Sequence, residues 1–125
     1  MRKFIWGIAL AFAFALVPAW AHMVDALQWM DSVPGVQIKS TKVEHDEVKK
    51  EYLMKSNRPY NQIVQNLKSK GWTVSGQREN FECPDMPKLY LVKDGCVIKI
   101  DVDRERGFEG SYYEMEIELE SRYDD

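Results

Sequence analysis

The chain has 125 residues, of which 17 are basic and 20 acidic, so its formal net charge at pH 7 is −3. This length suits one ordinary globular domain and leaves no room for a second. An acidic balance disfavours a nucleic-acid-binding role, because phosphate recognition depends on clustered lysine and arginine.

Residues 1–21 have the pattern of a secretory signal. Two basic residues open the chain, an apolar run extends from Phe4 to Val17, and Ala19 and Ala21 occupy the positions that a signal peptidase reads. An uncleaved membrane anchor is the alternative, but it needs about 18 apolar residues and a proline ends this run earlier. We therefore expect a periplasmic or secreted domain of residues 22–125, without stable membrane insertion. Its net charge is −5, since the signal holds two basic residues and no acid.

A short helix and a hairpin are predicted at the start of this domain. Met23–Met30 has apolar residues on one side, and Pro34 and Gly35 then end whatever precedes them. Val36–Val43 and Val48–Lys55 are rich in β-branched residues, and the polar residues 44–47 between them suit a turn. These two segments are predicted to be antiparallel strands.

The clearest element is an amphipathic helix over about residues 58–70. Asn57 is suited to cap it, Pro59 suits its first turn, and Gly71 can adopt the left-handed conformation that ends it. Apolar side chains recur at helical spacing: Tyr60, Ile63, Val64 and Leu67. A strand is expected to begin at Trp72 and to return beneath the helix.

The rest of the chain alternates as strands do. Asp94 and Gly95 are a turn pair within a hairpin over Lys88–Val102, and the last strand, Tyr112–Glu120, places apolar residues on one face and glutamates on the other. The pattern predicts a single small α+β domain, a mainly antiparallel sheet with one helix packed on one face. The predicted core consists of Tyr60, Ile63, Leu67, Trp72, Ile98, Ile100, Ile117 and Leu119.

Cys83 and Cys96 are the only cysteines. An even pair in an oxidising compartment usually forms a disulfide, and we predict one here. Geometry is the objection, because Cys96 follows the hairpin turn whereas Cys83 is expected near the far end of the same hairpin.

No motif for catalysis, a cofactor or a metal is found, so the protein is not predicted to be an enzyme. His22 and His45 are the only histidines. A mature amino-terminal His22 could bind copper together with His45, but two histidines without a ligand spacing are weak evidence, and we favour the explanation that cleavage leaves a histidine first by chance. A small carboxylate-dependent hydrolase is a further alternative, because the many acids allow many pairs.

Charge is distributed unevenly along the chain. Residues 37–70 have a net charge of +4 and residues 79–125 a net charge of −8. Oppositely charged strands that pair across the solvated face of the sheet explain most of this, and the glutamates also protect an edge strand from aggregation. The functional interpretation is a surface with one positive and one negative pole, which would steer a charged protein partner toward it.

We therefore expect a non-catalytic binding module that acts on another envelope protein as an inhibitor, adaptor or stress factor. Five side chains on the face opposite the core are its predicted binding residues: Tyr90, Lys99, Glu114, Glu116 and Glu118. Tyr90 supplies an aromatic anchor, and the glutamates supply a field that would favour a basic partner.

Overall fold

A six-stranded antiparallel sheet with one α-helix makes up residues 27–121, the part of the chain that the computed structural model describes. The elements are β1 (Gln37–Glu44), β2 (Glu47–Met54), α1 (Arg58–Ser69), β3 (Thr73–Arg78), β4 (Lys88–Lys93), β5 (Cys96–Gly107) and β6 (Gly110–Ser121). The strand order is β1-β2-β6-β5-β4-β3. The predicted α+β class, mainly antiparallel sheet and single α-helix are confirmed. The predicted signal segment and His22 lie outside the described residues.

Helix α1 lies along β4. At one end the Tyr60 hydroxyl donates a hydrogen bond to the carbonyl oxygen of Pro87 at 2.5 Å, and at the other the Lys93 ammonium donates one to the carbonyl oxygen of Lys70 at 2.6 Å. A helix of 12 residues is about 18 Å long and a strand of 6 residues about 20 Å, so the two lengths match. We call the sheet face that α1 covers the inner face and the opposite one the outer face.

The ends of α1 follow the sequence pattern only in part. Pro59 lies in the first turn, and Gly71 has a φ of +102°, the left-handed conformation expected after the helix. The Asn57 side chain does not cap the helix, so that prediction is wrong. Its amide donates instead to the Asp85 carboxylate, which anchors the start of the helix to the loop between β3 and β4.

The core lies between α1 and the inner face. The predicted core side chains are buried: Tyr60, Ile63, Leu67, Ile98, Ile100, Ile117 and Leu119. Trp72 is the exception, because it is half-buried and packs against the margin of the core. Strand β2 contributes further buried side chains that the predicted core omitted, Val48, Tyr52 and Met54.

The described part of the predicted Met23–Met30 helix differs from the prediction. A 3-10 helix spans Gln28–Ser32, and its Met30 is fully buried. Lys50 is the one charged side chain buried among residues 27–121. Its ammonium lies 3.0 and 3.2 Å from the two carboxylate oxygens of Asp31, and the Tyr52 hydroxyl donates to the same carboxylate at 2.5 Å. These contacts fasten the 3-10 helix to β2.

Two hairpin turns have two residues each. The first is shorter than predicted, and the second has the predicted length. Glu44 pairs with Glu47, so the first turn consists of His45 and Asp46 alone rather than residues 44–47. In the β4–β5 turn, Asp94 has a φ of 49° and Gly95 a φ of 78°. Positive φ at both central residues is the geometry expected of this turn pair.

The predicted disulfide is wrong, because Cys83 and Cys96 are both free. Cys83 lies in the loop between β3 and β4, and the Asn80 amide joins this loop to the carbonyl oxygen of Val102 at 2.7 Å. Cys96 begins β5, six residues before Val102, which corresponds to about 20 Å of strand. A disulfide requires Cα atoms within about 7 Å, so the two thiols are at opposite ends of the sheet and cannot bond.

Candidate functional site

The five predicted binding residues lie together on the outer face. Lys99 is paired with Tyr90 of β4 on one side and with Glu118 of β6 on the other. Glu116 and Glu114 follow at alternate positions of β6, on the same face. Alternation along the strands therefore placed these side chains correctly, and β6 pairs directly with β5.

The glutamates of β6 already have partners on β1 and β2. The Lys49 ammonium lies 3.3 Å from Glu116 and 3.8 Å from Glu118, and the Lys39 ammonium lies 3.0 Å from Glu114. The hydrogen bond to Glu116 raises the pKa of Lys49, and the one to Glu114 raises the pKa of Lys39. The interpretation that oppositely charged strands pair across the solvated face is confirmed for these residues.

Three glutamates form a tight group at one end of the outer face. One oxygen from each of Glu47, Glu118 and Glu120 lies within 4.8 Å of the other two. Partial burial, followed by the neighbouring carboxylates, raises the pKa of Glu47 and of Glu118. Carboxylate oxygens suit a hard cation, but the Lys99 ammonium lies 3.5 Å from Glu120 and already supplies positive charge there.

Tyr90 has a different environment from the glutamates. Its ring lies over Gly76 of β3, where an added Cβ would meet the ring at 3.4 Å. The Arg78 guanidinium is 6.0 Å and the Lys88 ammonium 5.7 Å from the ring centroid, within reach of cation–π attraction. Gly76 and Arg78 were not among the predicted site residues, because nothing in the sequence indicated that β3 is the neighbour of β4.

A shallow groove of about 570 Å³ opens beside this ring. It is lined by Ser75, Gly76, Gln77, Arg78, Tyr90, Val97, Lys99, Glu120 and Ser121. Two of the five predicted residues, Tyr90 and Lys99, therefore belong to the groove, whereas the glutamates at 114, 116 and 118 lie beside it. We call this feature the Tyr90 groove. It offers an aromatic surface between cations, which suits recognition by contact rather than bond-making chemistry.

The described histidine and the two cysteines are not among the residues that line the groove. His45 is exposed in the turn between β1 and β2, and its suggested copper partner, His22, is outside residues 27–121. Burial raises the pKa of the Cys83 thiol and of the Cys96 thiol, which disfavours the reactive thiolate.

No family model, curated protein or solved structure matches this chain. No helix within residues 27–121 is long and apolar enough to span a membrane. The functional argument therefore rests on the geometry of the outer face.

Proposed function

We propose that this protein is an exported, non-catalytic binding module that acts on another protein of the bacterial envelope as an inhibitor, adaptor or stress factor. The observation that carries the proposal is the Tyr90 groove, an open concave surface on a sheet face that α1 leaves uncovered. Aromatic and arginine side chains dominate the energetics of protein interfaces, and here Tyr90 and Arg78 lie side by side.

The charges around the groove indicate which part of the partner it recognises. Lys39 and Lys49 form ion pairs with three glutamates of β6, at positions 114, 116 and 118, whereas no carboxylate among residues 27–121 lies within ion-pair distance of Arg78. The charged groups that lie over the Tyr90 ring are the cations of Arg78 and Lys88. We infer that the partner presents an acidic or aromatic side chain to the groove.

Non-catalytic action is supported by the chemistry available at the groove. Its polar side chains are hydroxyl, amide and cationic groups with one carboxylate, Glu120, and Lys99 lies against that carboxylate. Acid–base catalysis by carboxylates needs two of them facing one substrate, and the neighbours of Glu120, Glu47 and Glu118, do not line the groove. Recognition of a protein segment needs only complementary contacts.

Affinity capture with the mature protein from its own envelope fraction tests the proposal. Tyr90→Ala and Arg78→Glu are each expected to reduce recovery of a specific partner at least tenfold. Lys42→Glu is the matched control, because it reverses an exposed charge on the opposite edge strand and is expected to retain wild-type recovery. Equal recovery by all three variants, with folding verified by circular dichroism, would contradict the proposal.

A further inference from the structure

The hairpin of β5 and β6 extends beyond the rest of the sheet. On one side the pairing with β2 ends at Tyr113, and on the other the pairing with β4 ends at Ile100. The last rungs, from Glu105 with Tyr112 to Gly107 with Gly110, therefore involve β5 and β6 alone. We call residues 104–113 the ribbon. Its turn lies about 30 Å along β5 from Lys99, so the ribbon is separate from the Tyr90 groove.

Contacts with the loop between β3 and β4 support the ribbon where it leaves the sheet. The carboxylate of Glu82 accepts a hydrogen bond from the backbone N–H of Arg104 at 3.1 Å, beside the contact of Asn80 with Val102. Nearer the tip, the Tyr112 ring covers Gly107, where an added Cβ would lie 3.2 Å from the ring. A preorganised projection loses less conformational freedom when it binds.

The tip of the ribbon carries a fully exposed aromatic ring. Phe108 occupies the turn between Gly107 and Gly110, and its side chain is completely open to solvent. The ring therefore contributes no burial to this fold. A large apolar side chain at the end of a paired hairpin that projects from the sheet is positioned to fill a pocket in another molecule.

The two faces of the ribbon carry opposite charge. Arg104 and Arg106 alternate on one face, and neither guanidinium lies within ion-pair distance of a carboxylate among residues 27–121. Glu105 occupies the other face, Asp103 precedes it on that face just outside the ribbon, and Glu109 is at the tip. Since these two guanidinium groups have no ion-pair partner among residues 27–121, carboxylates on a binding partner would complement them.

We propose that the ribbon inserts Phe108 into an apolar pocket of a folded protein, and that acidic side chains on the rim of that pocket pair with Arg104 and Arg106. An anionic lipid surface is disfavoured, because it would meet all the acids at this end of the molecule as well, whereas the rim of a pocket can place carboxylates beside the two arginines alone; these acids are Glu79, Glu82, Asp85, Asp103, Glu105 and Glu109. The proposal does not depend on the Tyr90 groove.

Site-specific photo-cross-linking identifies the partner. A photoreactive benzoylphenylalanine is placed at residue 108 of the mature protein, and in a control protein at Val43, an exposed apolar position on the edge strand β1 and away from the ribbon. After irradiation in the envelope fraction, residue 108 is expected to give one main protein adduct that residue 43 does not give. Absence of an adduct at 108, or the same adducts from both positions, would overturn the proposal.

Binding of the purified adduct partner then tests the chemistry. Phe108→Ala is expected to weaken the Kd by 10- to 100-fold, Phe108→Trp to retain most of the affinity, and Arg104→Glu with Arg106→Glu to weaken it at low salt more than at high salt. An unchanged Kd for Phe108→Ala would overturn the proposal, as would binding of the wild-type protein to phosphatidylglycerol vesicles that Phe108→Ala abolishes. Loss of binding in Tyr90→Ala but not in Phe108→Ala would support the groove and contradict the ribbon.

Discussion

The contact between Asp31 and Lys50 predicts that Asp31→Ala destabilises the protein much more than Lys50→Met does. The Lys50 side chain is only 4% exposed, whereas Asp31 is 28% exposed. Asp31→Ala leaves the Lys50 ammonium buried without a counter-charge and takes an acceptor from the Tyr52 hydroxyl. Lys50→Met removes the buried charge instead, and leaves Asp31 hydrogen-bonded to Tyr52 and partly in water.

The magnitudes follow from this difference in burial. Breaking a buried ion pair from one side costs about 3–5 kcal/mol of unfolding free energy. Because water reaches Asp31, we expect Asp31→Ala to cost about 3 kcal/mol, near the lower limit. Methionine fills nearly the same space as the lysine stem, so Lys50→Met should change stability by less than about 1.5 kcal/mol. The double variant leaves no unpaired charge but still deprives the Tyr52 hydroxyl of its acceptor, so its cost should lie between those of the two single variants.

Urea unfolding followed by tryptophan fluorescence measures all three free energies, and the coupling between the two substitutions follows from the double-mutant cycle. Glu109→Ala, at the exposed tip of the β5–β6 hairpin, is the control for removing an acid and should be neutral within about 0.5 kcal/mol. A cost for Asp31→Ala below about 1 kcal/mol, or an equal cost for Lys50→Met, would refute the reasoning.

Further predictions concern the core, the tyrosines and the thiols. Leu67→Ala should lower the free energy of unfolding in urea by about 2–5 kcal/mol, because this side chain of α1 is 1% exposed. A change near zero would contradict its burial. Burial raises the pKa of Tyr52 and of Tyr60 above the unfolded value near 10, so stability should fall as pH rises from 10, and Tyr52→Phe should reduce the slope. Thiol titration in urea without reductant should detect both Cys83 and Cys96, and finding neither would mean that they had bonded.

Local features of the fold could be predicted because their causes are local. The spacing of Tyr60, Ile63 and Leu67 is enough to place a helix, and Asp94 with Gly95 specifies a two-residue turn wherever the hairpin lies. Alternation along β6 also placed its glutamates on the outer face correctly.

Strand order is a long-range property, and the sequence pattern does not contain it. β6 lies between β2 and β5, and this neighbourhood is what brings Lys49 to Glu116 and Glu118. Without it, the glutamates looked like an unpaired acidic surface. For the same reason the groove beside Tyr90 could not be anticipated, since Arg78 comes from β3 at the sheet edge.

The burial of Lys50 could not be inferred from the sequence either. Lysine in a strand ordinarily indicates a solvated position, and here an acid 19 residues earlier makes the inward position tolerable. The disulfide prediction was wrong for a related reason. The number of cysteines and the compartment carry no information about distance, and the loop that holds Cys83 is hydrogen-bonded to Val102, six residues along β5 from Cys96.

The central claim is that the Tyr90 groove recognises a protein partner, and mapping of backbone amide shifts tests it most directly. The captured partner is added to ¹⁵N-labelled mature protein, and the shifts of residues 27–121 are followed. We predict that the largest changes cluster at residues 75–78, at Tyr90 and at residues 97–99. Changes confined to other parts of the molecule, with these residues unaffected at saturation, would contradict the claim.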